Sequence, residues 1–556
     1  MSTSFSVLNR SELVSRLRSE PLDVLVIGGG VTGAGILLDA QTRGMKVGLV
    51  EMQDFAAGTS SRSTKLVHGG LRYLKQFEIE LVAEVGTERA IVYENAPHVT
   101  TPLWMILPIV QRGTYGMFMS SIGLYMYDRL AQVKDSERRT MLSKEEALEL
   151  EPLLSPDSLR GAGKYVEYRT DDARLTLEIL KEAVEQGAMA LNYTKADTLV
   201  YQNGKVSGAS LTDLLTGETY TVSARKVVNA TGPWVDELRT LDKSKNGKSL
   251  HLTKGVHVVI DHSRFPLRHP VYYDVPDGRM VFAIPREGKA YVGTTDTNYH
   301  GDPKNPRTTK RDRDYLVDCV NHMFPSVHLT DADIESFWAG VRPLIHEDGK
   351  APSEISRRDE VFVSKSGLVT IAGGKLTGYR KMADKVVSLV ASQLSSEYGQ
   401  SYPDCLTEHV TLSGGKFGGS QAMPAYLTER IAEGTALGLL EEEASRLVMR
   451  YGTNIGTLYD IIRERADEAS EFGLSREVYA ALVYGIEHEM LVTPSDFFIR
   501  RTGAMFFHIH WVRKWQDPVV KYMAHCFRWS EEQTTEYIDE LAWQIATATE
   551  AVDEEL

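Results

Sequence analysis

The sequence predicts a mixed α/β protein: a largely parallel nucleotide-binding sheet, an inserted antiparallel sheet and an all-helical C-terminal region. Three observations predict it. Residues 22–51, LDVLVIGGGVTGAGILLDAQTRGMKVGLVE, make a complete strand, glycine turn, helix, strand and terminal acid. Two later apolar strands run into glycine turns, VVNATG at Gly232 and LVTIAGG at Gly373 and Gly374. From about Gly418 onward, helical apolar spacing dominates.

The first unit carries its chemistry in its spacing. Leu22–Ile27 is a continuous apolar run with the length of a strand buried on both faces. In the turn Gly28, Gly29, Gly30, Gly28 permits the sharp bend and Gly30 lets backbone approach a pyrophosphate. Gly33 lets the following helix pack closely on the strand. The helix N-terminus offers unpaired N–H groups to the pyrophosphate, and Glu51 at the end of the second strand accepts from the ribose hydroxyls, which disfavours NADP. One glycine turn serves NAD or FAD alike. Three close-approach turns suit FAD, which is long and stretches over several loops.

The remaining elements follow in order. MSTSFSVLNRSELVSRLRSEP holds Glu12 and Glu20, against the acid-poor rule of transit peptides, and predicts a short helix before the first strand. DFAAGTSSRSTKLVHGGLRYL reads as an ordered functional loop, Ile79 to Asn95 as a helix, and Trp104 to Leu130 as an apolar element that is either buried or membrane-facing. A helix is expected over Thr176–Glu185, then an antiparallel meander with turns at Asn203-Gly204 and Thr216-Gly217 that ends in the VVNATG strand. Strands VHVVI, MVFAI and AYVGTTD predict a second sheet.

Totals exclude several classes. At 556 residues the chain exceeds one core. A formal net charge of -14 argues against nucleic acid as partner. Cys319, Cys405 and Cys526 form no metal-ligand pattern, so no metal is expected and a reduced, cytoplasmic compartment is. No apolar run is long enough to span a bilayer.

The strings TSSRSTKLVHGGLRYL, YRTDDARL, VVNATGPWV, TKGVH, VGTTDT, AGVRPL and AGGKLTGYRKMA occur in one order between about Asp23 and Lys385. Together they resemble the FAD-dependent glycerol-3-phosphate dehydrogenases of the respiratory, aerobic type, and the helical tail resembles that family's C-terminal domain. The resemblance implies a Rossmann-like FAD-binding domain with an inserted antiparallel-sheet substrate domain and an all-helical C-terminal domain. The oxidoreductase region is then 1–410, with cofactor parts at about 20–100, 150–250 and 335–400, substrate parts at about 100–150 and 250–335, and the helical domain at 411–556. It also implies hydride transfer from C2 of sn-glycerol 3-phosphate to FAD, giving dihydroxyacetone phosphate, with electrons passed to a membrane quinone by an enzyme attached peripherally to the cytoplasmic face of the membrane. The sequence leaves a homodimer open.

A phosphate monoester carries nearly two negative charges and requires several cationic donors. Arg72, Arg342, Arg357 and Lys375 lie in segments that resemble the family's substrate-binding motifs, with Arg358 an alternative to Arg357. Removing the hydroxyl proton calls for a base, and His68 and His257, both in motif segments, are equal candidates, with Arg342 placed to stabilise the developing alkoxide. For the flavin, Thr59, Ser60, Ser61, Lys65 and Leu66 resemble the family's loop along the pyrophosphate and ring. Ala230, Thr231 and Gly232 supply backbone near the dinucleotide, and Gly373, Lys375, Leu376 and Thr377 are expected near the isoalloxazine. Two stretches suit membrane docking, Trp104–Tyr127 and Phe497–Trp515; the second interleaves Arg500, Arg501, Arg513 and Lys514 with aromatic residues, a composition that equally suits a domain core with its cations at the rim, the reading preferred for it. Alternative readings are an oxygen-using glycerol-3-phosphate oxidase, an amine or amino-acid oxidase on the same scaffold, and a non-catalytic flavin-bound sensor.

Overall fold

The apolar run Leu22–Ile27 is the centre of a parallel sheet because strands flank it on both sides. It pairs in parallel with Val47–Val50 on one side and with Ala224–Asn229 on the other. Met189–Leu191 extends the sheet beyond Val47–Val50, and Val369–Ala372 extends it beyond Asn229, with Glu360–Val363 as an antiparallel edge. The computed structural model describes residues 5–68, 79–111, 138–347 and 359–554.

One strand shows how local pattern encodes partner type. Thr219–Asn229 alternates exposed and buried residues over its first half, where it pairs antiparallel with Lys205–Asp213; its last four residues are all buried, within the half that pairs in parallel with Leu22–Ile27. The meander thus feeds directly into the parallel sheet. Its turn at Asn203-Gly204 has positive φ at both residues, as the sequence pair predicts.

Helix Val31–Thr42 follows the glycine turn and packs through Gly35 on Tyr379 and Ala383 of helix Tyr379–Tyr398. The predicted N-terminal helix is present as Arg10–Ser19, and the predicted helix of residues 79–95 as Ile79–Asn95. The helix expected from Thr176 starts at Asp172. The side chain of Asp171 caps it by accepting from the Arg174 N–H, a signal hidden inside the Asp-Asp pair.

The second sheet is built around two 14-residue strands, Lys248–Asp261 and Ile334–Glu347, paired antiparallel almost throughout. Lys289–Gly293, Met280–Arg286 and Val271–Asp274 continue it to Thr100–Val110, Leu159–Thr170 and the two-residue strand Leu66–Val67. Trp104 therefore lies in a sheet strand; residues 112–137 lie outside the described residues.

Residues 423–549 form the helical region, with helices such as Arg476–His488 and Glu531–Thr549 capped by Ser475 and Ser530. Its core includes Leu447, Tyr451, Leu482 and Phe498, and it continues into the second sheet through Tyr291 and Trp338. Among the described residues, no helix is long and apolar enough to cross a membrane.

Most of the Phe497–Trp515 stretch follows the domain-core reading, with Arg513 and Lys514 exposed and Arg500 and Arg501 buried rather than at the rim. Phe497, Phe498, Arg500, Arg501, Phe506 and Phe507 are all buried, so most of this basic and aromatic sequence is folded into the interior. Composition suited a lipid headgroup surface equally well; what decided between the two was the presence of carboxylates to receive the arginines inside. Arg501 meets Asp54 and Glu489, and Glu489 in turn accepts from Arg174 and lies 3.3 Å from Lys181. Three cations hold the Glu489 carboxyl down at about 2 despite its full burial.

Glu489→Gln removes one of the carboxylates these cations share, leaving Arg174 and Lys181 to Glu178 and Arg501 to Asp54, and is expected to cost about 3 kcal/mol of stability at neutral pH, read by denaturant unfolding. Because the folded value lies below the unfolded one of about 4.3, ionised Glu489 favours the fold above that pH. The gap between wild type and variant therefore narrows as pH falls through about 4.

Candidate functional site

The glycine turn is shaped by close approach. Gly28 has φ +116°, and a Cβ there would strike the Ala230 carbonyl of the neighbouring strand; a Cβ at Gly33 would land on the Gly28 carbonyl oxygen. The helix therefore sits as near the turn as backbone allows. The N–H of Val31, the first residue of that helix, donates to Ser60 Oγ at 2.9 Å.

Glu51 is set by backbone. Its Oε2 accepts from the Gly29 N–H at 2.7 Å and its Oε1 from the Gln53 N–H at 2.8 Å. Burial pushes the carboxyl up, against these two donors. Each oxygen keeps a lone pair for a ligand hydroxyl.

The three glycine turns open onto one cavity of about 660 Å³. Gly28, Gly30, Glu51, Thr59 and Ser60 line it together with Ala230, Thr231, Gly232, Gly373, Lys375 and Leu376. Gly29 lies behind this wall, close against Glu51 and Phe55, and Gly33 lies beneath it. Sequence reasoning missed Gln53, Trp234 and Lys195, which also line it. Trp234 was within reach, since it belongs to the quoted VVNATGPWV segment.

Lys65 is held by its own loop and by Asp172. Its Nζ donates to the Ser61 carbonyl at 2.9 Å and to Asp172 Oδ1 at 2.6 Å, and Asp172 Oδ2 accepts from the N–H and hydroxyl of Ser63. The ammonium folds the loop onto the YRTDDARL segment, and neither Lys65 nor its neighbours Ser61 and Leu66, all buried, line the cavity.

This loop is lashed to one face of the second sheet. Thr59 Oγ1 donates to the Val341 carbonyl at 2.6 Å, Trp338 Nε1 to the Ser63 carbonyl at 3.2 Å, and Tyr291 OH to the Thr64 carbonyl at 3.0 Å. His257 Nε2 is 3.0 Å from Thr64 Oγ1. The His257 ring stacks on Trp338 with centroids 4.7 Å apart, lies against Gly293 and is 1 % exposed. Burial first, then the charges of Arg342 and Lys65, hold it well below its ordinary value, so this imidazole is neutral.

Arg342 projects from the same sheet. Its guanidinium donates to Thr294 Oγ1 at 3.0 Å and Thr295 O at 3.3 Å, and pairs with Asp296 at 3.1 Å. Its chain neighbour Pro343 lines the cavity, as do Gly373 and Lys375. His68 is joined to the third turn: its N–H donates to Thr377 Oγ1 at 3.1 Å, and that hydroxyl lies 3.3 Å from the His68 carbonyl. The His68 ring is half-buried, edge-on to Phe282. Arg72, Arg357 and Arg358 lie outside the described residues.

A sequence model of the FAD dependent oxidoreductase family matches residues 23–380, and one of the C-terminal domain of alpha-glycerophosphate oxidase matches residues 405–534. The aerobic glycerol-3-phosphate dehydrogenase of Bacillus subtilis is 56% identical over 541 residues, 97% of this chain and 98% of that one. This chain belongs to the FAD-dependent glycerol-3-phosphate dehydrogenase family. The Staphylococcus aureus aerobic glycerol-3-phosphate dehydrogenase is 55% identical over 547 residues, 98% of each chain. The crystal structure of the Bacillus halodurans glycerol-3-phosphate dehydrogenase complexed with FAD superposes with a TM-score of 0.86 at 49% identity, covering 99% of this chain and 100% of that one. The L-alpha-glycerophosphate oxidase of Mycoplasma pneumoniae, at 21% identity and a TM-score of 0.54 over 70% of this chain, shares the fold.

The residues fit the family's cofactor. The cavity runs from Glu51 past three glycine turns, and its narrowest backbone contacts are those a Cβ would fill. Gly33→Ala is therefore expected to separate the helix from the turn, and the purified variant to lack visible flavin absorbance; a variant as yellow as wild type contradicts this.

Proposed function

We propose that this chain oxidises sn-glycerol 3-phosphate to dihydroxyacetone phosphate through FAD and delivers the electrons to a membrane quinone, working in glycerol catabolism at the cytoplasmic face of the membrane. The observation that carries the reading is the chemistry at the third glycine turn, where Lys375 lines the cavity and Thr377 bonds to His68; Arg342 is the chain neighbour of the cavity-lining Pro343. A lysine on the wall of a flavin-sized cavity, with a histidine bonded to the same turn through Thr377, suits a phosphorylated alcohol. An amino-acid oxidase holds a single carboxylate, which takes fewer cationic donors than a phosphate monoester.

FAD, when bound, supplies a two-electron acceptor for the hydride on C2. Lys375 and Arg342 bind the substrate anion, joined by Arg72 and Arg357 from the same motifs. Arg342 is held in one orientation by Thr294, Thr295 and Asp296, so it meets developing negative charge without rearranging. The two candidate histidines differ in burial, and that difference supports His68 as the base. The His257 ring is sealed between Trp338 and Gly293, whereas the His68 ring is half-buried, and its backbone is fixed by Thr377. His68 takes the hydroxyl proton, and His257 supports the loop through Thr64.

Because Phe497–Phe507 is interior, membrane attachment is left to the exposed Arg513 and Lys514 beside the half-buried Trp511 and Trp515, or to the stretch from Trp104 onward. A glycerol-3-phosphate oxidase would share this substrate site and differ in its acceptor.

Rapid mixing under anaerobic conditions tests the roles. His68→Gln is expected to slow flavin reduction at saturating substrate by about 10²–10⁴-fold, while His257→Gln slows it less. Arg342→Ala is expected to lose reduction that added substrate does not restore; recovery at high substrate leaves Arg342 a binder alone. A His68→Gln variant that reduces its flavin at the wild-type rate removes His68 as the base. Peroxide release matching dye reduction in the absence of quinone selects the oxidase.

A further inference from the structure

Asp54, three residues beyond Glu51, is fully buried and receives four hydrogen bonds. Arg500 Nε donates to Oδ2 at 2.6 Å, Arg501 Nη1 to Oδ2 at 2.8 Å, and Arg501 Nη2 and Asn192 Nδ2 to Oδ1 at 3.0 Å each. Both arginines come from the helical region, nearly the whole chain away in sequence. Neither lines the cofactor cavity.

The segment from Glu51 to Ala56 behaves as one piece. Glu51 Oε1 holds the Gln53 N–H, the Gln53 carbonyl accepts from the Tyr193 N–H at 2.9 Å, and the Glu51 carbonyl accepts from the Thr194 N–H at 2.7 Å. At its far end the Ala56 N–H donates to the Gly29 carbonyl at 3.0 Å, with the Phe55 ring against Gly29. One side of the piece shapes the dinucleotide turn, and the other is gripped by the arginine pair. Arg500 is anchored further by Asp496, and Arg501 by the Glu489 carbonyl at 2.7 Å.

We infer that Arg500 and Arg501 are positioning residues for the cofactor: acting through Asp54, the helical region fixes Glu51 and the glycine turn, and so sets how tightly FAD is held. Without the pair, Asp54 is a buried, uncompensated charge, and the segment must open for water to reach it. By linkage the coupling is mutual, so bound FAD steadies the docking of the helical region. The inference rests on the reading that Glu51 holds the ribose.

The test is the rate of FAD release from diluted holoenzyme, followed by flavin fluorescence well below the melting temperature. Asp54→Asn is expected to release FAD about tenfold faster than wild type, and the milder Arg500→Lys to shift the rate in the same direction. Arg446→Ala breaks a pair with Glu477 inside the helical region, 2.9 Å apart, and is expected to lower the melting temperature with release unchanged. Equal release from wild type, Asp54→Asn and Arg500→Lys overturns the inference, as does a rise in Arg446→Ala that follows its loss of stability. If Asp54→Asn does not fold, Arg500→Lys decides. Glu51→Gln separates the two readings. Fast release from it with wild-type release from Asp54→Asn and Arg500→Lys sinks the coupling alone, whereas wild-type release from Glu51→Gln sinks the ribose reading and the route through it.

Discussion

The approach of Gly33 to the Gly28 carbonyl is the constraint on which the rest of the molecule depends. It sets the distance between helix Val31–Thr42 and the central strand, and thereby leaves a backbone-walled floor under the cavity. Ala230 closes the same turn from the neighbouring strand, so the second glycine turn is positioned by contact with the first. The sheet order then brings Val369–Ala372 and its Gly373-Gly374 turn to the same edge, at the carboxyl ends of parallel strands, where open α/β sheets bind their ligands.

A second layer of order comes from the loop Gly58–Lys65, which has little regular structure of its own. It is held by side chains of the second sheet and by Asp172, and it converts two separate sheets into the two walls of one site. Buried charge works the same way on a larger scale. Lys65 with Asp172, the arginine pair with Asp54, and Glu489 with Arg174 and Lys181 each join segments distant in sequence. Such pairs add modest stability over a well-packed apolar alternative, yet each makes a wrong docking costly.

Much of this was legible in the sequence, for identifiable reasons. Leu22–Ile27 and the glycine spacing report their own structure because both faces of that strand are buried and the turn excludes side chains. The switch in Thr219–Asn229 from alternating to continuous burial is likewise written in its residues. What was not legible depends on partners brought in by folding. The pairing of Lys65 with Asp172, more than a hundred residues on, is one such contact. Phe497–Trp515 allows a lipid surface or a domain core with cations at its rim, because composition does not reveal that Asp54 and Glu489 await Arg500 and Arg501 inside. His68 and His257 were equivalent as motif histidines, and only the seal of Trp338 and Gly293 around His257 separates them.

Oxidation of a phosphorylated alcohol by the bound flavin is most directly tested by mixing holoenzyme with substrate in the absence of oxygen and quinone. Bleaching of the flavin that saturates with sn-glycerol 3-phosphate, with no bleaching by glycerol plus free phosphate or by sarcosine, is the result expected. Flavin that stays oxidised with glycerol 3-phosphate, or that is reduced equally well by sarcosine, would contradict it.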